Sequence, residues 1–144
     1  MKIALACDHG GYDLKLEVIK YLTKKGVAFA DFGCDNNHIS VDYPLYGRAA
    51  CEAVLSEDCD FAVLCCGTGI GMSIMANKIR GIRAACCSEP YSAMLSRRHN
   101  DSNVLCMGAR VVGPELAKMI LDAWLNAEFE GGRHGTRVEM INEK

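Results

Sequence analysis

Five short apolar runs recur along this chain, and each is followed by a longer amphipathic or polar stretch. The runs are "KIALAC" (2–7), "VAFADF" (27–32), "FAVLCC" (61–66), "IRAACC" (82–87) and "NVLCMG" (103–108). A strand that reads as apolar throughout, rather than alternating, is one covered on both faces. Strand alternating with helix in this way requires a parallel sheet with helices on both sides, and right-handed crossovers wind it in two directions. The expected fold is therefore α/β, a doubly wound three-layer sandwich with a five-stranded parallel sheet, Rossmann-like in outline. No repeat, linker or low-complexity tract divides it, so residues 1–144 form one domain.

The intervening segments carry helix signals. In 12–26, Leu14, Val18 and Leu22 share a face, and Gly26 offers a C-terminal cap. Further helices are expected over about 45–56, over "MSIMANKI" (72–79), after Ser88 and Pro90, and from Pro114, where Leu116, Met119, Ile120, Ala123 and Trp124 recur at helical spacing. The tail "EGGRHGTRVEMINEK" is basic at first and then weakly helical. A net charge of −2 gives no electrostatic basis for binding nucleic acid or an anionic membrane. No apolar run is long enough for a membrane span or a signal peptide, so a cytoplasmic location is expected. The nine cysteines include no CxxC pair and are odd in number, which argues against zinc ribbons and disulfide frameworks. Most sit in apolar runs, where a thiol behaves as a small buried hydrophobe.

Open α/β sheets bind ligands beyond the carboxyl ends of their strands. Here those places hold Asp8 to Gly11, Gly33, Cys66 to Gly71, Ser88-Glu89 and Gly108 to Arg110. "CGTGIG" is not a dinucleotide fingerprint, because Met72 stands where GxGxxG needs glycine. No GxxxxGK[ST] is present, and no arginine completes a phosphatase CxxxxxR. What remains is a tight strand-to-helix turn whose free N–H groups, at Gly67, Gly69, Ile70 and Gly71, can hold an anion, with the Thr68 hydroxyl beside them. Cys66 is either a buried structural residue or a thiol whose thiolate those groups favour. In the second case it can move a proton at carbon beside a carbonyl while the turn holds the oxyanion.

Three other sets stand out. Asp8 and His9 end the first strand abruptly and could equally cap the next helix. His99 and Asn100 close a helix after Arg97 and Arg98, where the helix dipole favours the charged imidazole. Arg110, Arg133 and Arg137 suit a phosphate if they converge, the last two being four apart. Together the sets suit an aldose–ketose isomerase acting on a sugar phosphate, with no metal and no cofactor. The alternatives are a non-catalytic sugar-phosphate-binding or nucleotide-binding module and, less well supported, a thiol redox sensor.

Over nearly its whole length the chain also resembles the ribose-5-phosphate isomerase B family, which includes the galactose-6-phosphate and allose-6-phosphate isomerases. The resemblance runs through "IALACDHGGYDLK", "DYP", "CGTGIGMSIMANK", "GIRAACCSEPYSAMLSRRHNDSNVLCMGARVVG", "LAKMILDAW" and "EGGRHGTRVE". It implies interconversion of D-ribose 5-phosphate and D-ribulose 5-phosphate through a cis-enediolate, in the pentose phosphate pathway. Cys66 would be the proton-transfer base, His99 with Asp8 would open the ring, and Gly67 to Gly71 with Thr68 would form the anion hole. Tyr43 and Asn100 would contact the sugar, and His9, Arg110, Arg133 and Arg137 the phosphate. It further implies a homodimer or dimer of dimers, with His99, Asn100 and Arg110 reaching across to the partner's Cys66. Of the adjacent thiols Cys65 and Cys66, strand alternation sends only one to the substrate, and Cys66 adjoins the first glycine.

Overall fold

Alternation along the central strands fills two separate layers. Ile3, Leu5, Cys7, Val63, Cys65, Leu105 and Met107 enter one core, while Ala4, Ala6, Ala62, Leu64, Cys66 and Cys106 enter the other. The computed structural model describes residues 1–142; Glu143 and Lys144, the last two residues of the expected domain, lie outside the described residues. The strands are β1 (Lys2–Cys7), β2 (Ala28–Asp31), β3 (Phe61–Cys66), β4 (Ala84–Cys86) and β5 (Val104–Gly108). The helices are α1 (Tyr12–Lys25), α2 (Tyr43–Leu55), α3 (Ile70–Ala76), α4 (Pro90–Asn100), α5 (Pro114–Leu125) and α6 (Arg133–Asn142). All strand pairs are parallel, in the order β2-β1-β3-β5-β4. The expected doubly wound sandwich is the fold observed.

The first core packs against α1 and α5, with Leu14, Val18, Leu22, Ile120, Leu121 and Trp124 buried in it. The second packs against α2 and α3 and is lined by small and flexible side chains, among them Ala50, Cys51, Met72 and Met75. Alanines on the sheet let these helices lie close, and the methionines fill the irregular space left over.

Several boundaries differ from the sequence expectation, β2 having four residues instead of six and α3 ending at Ala76. β4 has three residues instead of six, because Arg83 turns its N–H to the Asn103 side chain and Ile82 bonds back to Ile79. α3 begins at Ile70, on the turn itself rather than after it. The tail is helical over α6, so Arg133 and Arg137 do share an exposed face, opposite buried His134 and Val138.

Backbone contact at the carboxyl ends of the strands is closer than any side chain allows. A Cβ on Gly11 would lie 2.1 Å from the Cys65 carbonyl oxygen, and one on Gly108 would lie 2.5 Å from the Thr68 carbonyl carbon. The loops after β1, β3 and β5 are therefore pressed into one another. Gly11→Ala is expected to push the β1 loop off β3 and cost about 3 kcal/mol, as overpacking against rigid neighbours does. Urea unfolding of the variant checks this.

Candidate active site

The turn after β3 is built around the Cys66 sulfur. Gly69 adopts a left-handed conformation (φ 79°), which aims its N–H at Cys66 Sγ, 3.0 Å away. Ile70 donates its N–H to Thr68 Oγ1 at 3.3 Å, while the amides of Gly67, Thr68 and Gly71 have no acceptor among the described residues. Those amides are free for an oxyanion. Cys65 points the other way, into the α1/α5 core, and burial pushes its thiol far up. Burial likewise pushes the Cys7 thiol up to about 12. Eight of the nine free cysteines are buried, as expected, and Cys86 is the exposed one.

Other groups close on this turn from the neighbouring loops. Asp8 is buried, and its Oδ1 accepts the Gly11 N–H at 2.9 Å, leaving Oδ2 unengaged. His9 Nδ1 accepts the Val41 N–H at 3.2 Å, so the neutral ring carries its proton on Nε2 as a donor. The Tyr43 ring lies against Gly71, where a Cβ would be 2.8 Å from its Cζ. The Arg110 guanidinium lies on Gly67, with Nη1 3.2 Å from the place of that residue's Cβ. The resemblance implied that Arg110 reaches a partner's Cys66; instead it sits on the Cys66 rim of its own chain, held there by the Arg110 N–H bond to the Gly67 carbonyl.

His99, Asn100, Arg133 and Arg137 do not join them. α4 leaves the carboxyl end of β4 and returns to the amino end of β5, so its last turn lies at the opposite end of the strands. There the Asn100 carbonyl accepts from Arg83 Nε, ahead of β4, and Asn100 borders a cavity of about 480 Å³ with Asn77, Ser96 and Ile141. α6 packs on α4 and carries Arg133 and Arg137 to this same end. In one chain, then, Cys66 and its turn are at one pole and the His99 imidazole, Arg133 and Arg137 at the other.

Two residues in this second group escaped the sequence reading. His134 stacks on His99 with ring centroids 4.1 Å apart and planes within 5°, and Glu130 Oε2 lies 3.6 Å from His99 Nε2 and 3.8 Å from His134 Nε2. The available signal was the spacing of four between Glu130 and His134, interleaved with the Arg133/Arg137 pair. Three potential metal ligands meet here, but stacked rings hold their nitrogen lone pairs parallel rather than convergent.

The family model described as Ribose/Galactose Isomerase matches residues 3–141. The chain belongs to this family. It is 56% identical over 140 residues to ribose-5-phosphate isomerase B of Escherichia coli (strain K12), covering 97% of this chain and 93% of that protein. It is 44% identical to D-erythrulose-4-phosphate isomerase of Pectobacterium atrosepticum, with 98% and 93% covered. The structure of ribose-5-phosphate isomerase B from Clostridium thermocellum superposes with a TM-score of 0.97 at 55% identity, covering 99% of this chain and 96% of that one. Family membership thus covers both poles of the molecule, from the β1 loop to α6.

Burial, then His99 and Arg133 close by, hold His134 below its ordinary value of 6.5, with Glu130 opposing. A base held neutral in the fold is protonated more readily when unfolded, so this contribution to stability is present above pH 6.5 and lost as pH falls through that value. His134→Gln is expected to flatten the fall in urea midpoint on acidification, measured on either side of that pH.

Proposed function

We propose that the chain interconverts D-ribose 5-phosphate and D-ribulose 5-phosphate, with the Cys66 turn as its chemical centre. The observation that carries this is the Gly69 N–H bond to Cys66 Sγ beside free amides, in a chain 56% identical to a ribose-5-phosphate isomerase B. A sulfur held as a proton acceptor next to an oxyanion hole is what an enediolate route needs.

The steps follow from the groups. His99 gives a proton to the furanose ring oxygen O4 while Asp8 takes the one on O1, and the ring opens to the aldehyde. The Cys66 thiolate removes the proton from C2, and the electron pair forms the C1–C2 double bond of a cis-enediolate. The oxyanion rests on the free Gly67, Thr68 and Gly71 amides and the Thr68 hydroxyl. A proton passes from O2 to O1, Cys66 returns its proton to C1, and the ketose results. Tyr43 and Asn100 bound the sugar, and His9, Arg110, Arg133 and Arg137 hold the phosphate. No step calls for a metal or cofactor.

Because one chain keeps His99, Asn100, Arg133 and Arg137 away from Cys66, this mechanism needs a second copy. A two-fold homodimer that sets the α4–α6 end of one subunit over the Cys66 rim of the other supplies both sites at once. Dimers of such dimers are compatible with it. Exposed Ile39, Leu45, Ile70 and Ile74 lie on the rim side and suit burial there. Nine free thiols suit a reducing compartment such as the cytoplasm.

The second reading keeps the mechanism and changes the sugar. A relative 44% identical is named for a tetrose phosphate, and the family's name includes galactose. The deciding assay is ketose formation from ribose 5-phosphate, run beside allose 6-phosphate and galactose 6-phosphate. Cys66→Ser is expected to lower kcat by roughly 10²–10⁴-fold with little change in KM, whereas Cys65→Ser keeps turnover. Equal activity of the two variants would remove Cys66 from the mechanism, and binding without turnover of any substrate would make the protein a non-catalytic module.

A further inference from the structure

Glu130 is the charged group nearest His99 that the proposed mechanism leaves unused. It lies in the connection between α5 and α6 and is fixed at both backbone and side chain. Its N–H donates to the Arg98 carbonyl at 3.0 Å, and its Oε1 accepts from Arg98 Nε at 2.6 Å and from Nη2 as well. Oε2 is thereby turned to the imidazoles, 3.6 Å from His99 Nε2. That separation is an ion-pair contact rather than a hydrogen bond. On its other side His99 meets the His134 ring in a parallel stack. The imidazole is bounded on one face by a ring and on its Nε2 edge by a carboxylate.

We propose that Glu130 is a positioning residue for ring opening, holding the His99 ring with Nδ1 turned toward the sugar. This rests on the reading of His99 as the ring-opening acid. The logic is that of a carboxylate behind a catalytic imidazole, which fixes the ring and stabilises the imidazolium without touching substrate. His134 completes the arrangement. Burial, with His99 and Arg133 close by, favours the neutral form of its ring. The charged groups around this pair are Arg98 on α4, Glu130 before α6, and Arg133 and Arg137 on α6. Asp101, at the end of α4, is engaged by Arg83 and Arg97. Glu130 is thus the one carboxylate free to offset three guanidiniums at this imidazole among the described residues.

Substrate chemistry separates this role from a structural one. Ribose 5-phosphate is largely a closed furanose, so its turnover needs ring opening. Ribulose 5-phosphate cannot close a five-membered ring, because O5 bears the phosphate, so its C1 proton is exchanged through the enediolate with no ring to open. Glu130→Gln is therefore expected to lower kcat on ribose 5-phosphate by roughly tenfold or more, while deuterium uptake at C1 of ribulose 5-phosphate in D2O stays near the wild-type rate. Glu130→Asp should recover part of the loss. His99→Asn serves as the reference and should show the same split between the two assays. Equal losses in both assays for Glu130→Gln, or none in either, would overturn the role given to Glu130. A His99→Asn variant that turns over ribose 5-phosphate normally would overturn the reading of His99 itself.

Discussion

The pairing of β3 with β1 on one side and β5 on the other governs everything at the carboxyl rim. Leu5 stands opposite Val63 and Cys65 opposite Met107, and this register decides which of two adjacent thiols faces α2 and α3. A slip of one residue would exchange Cys65 and Cys66 between the faces. It would put a thiol walled in by apolar side chains where the turn now holds Cys66 against the Gly69 amide. The register is locked by the glycines that let neighbouring loops touch, Gly11 on Cys65 and Gly108 on Thr68. Fold and chemistry meet in those two contacts.

That constraint also explains why so little of the rim is side chain. The sheet delivers backbone N–H groups to the turn after β3, and the surrounding loops add one carboxylate, one imidazole, one phenol and one guanidinium. Asp8 and His9 are each fixed by a backbone N–H, from Gly11 and Val41 respectively. Groups held by main chain need little reorganisation when charge develops on a substrate, which is the condition for electrostatic stabilisation of an enediolate.

Much of this could be read from residue order. Unbroken apolar runs such as "FAVLCC" announce a strand buried on both faces, and alternation alone separates Cys65 from Cys66. The failed GxGxxG match left a bare strand-to-helix turn, and that turn is what the structure contains. What the sequence does not carry is which pole of the sheet a helix end occupies. His99 follows from α4 running back along the sheet, and Arg110 from a turn that folds over Gly67, so their places depend on tertiary packing. The short β4 has a similar cause: Arg83 and Asn103 bond across its start, a long-range match that no local pattern announces. Glu130 and His134 were masked by the arginines beside them, whose spacing invited a phosphate reading.

The central claim is that one site is made from two copies of the chain, the Cys66 rim of one and the α4–α6 end of the other. Complementation tests it most directly. Cys66→Ala and His99→Asn proteins, each inactive or nearly so on ribose 5-phosphate, are unfolded together, refolded as a mixture and assayed. In a two-fold dimer that shares its sites, half of the assemblies are mixed and each of these carries one intact site, so roughly a quarter of wild-type activity should return. If mixed assemblies form and no activity returns, each site draws its thiol and its imidazole from one chain, and the shared-site account is wrong.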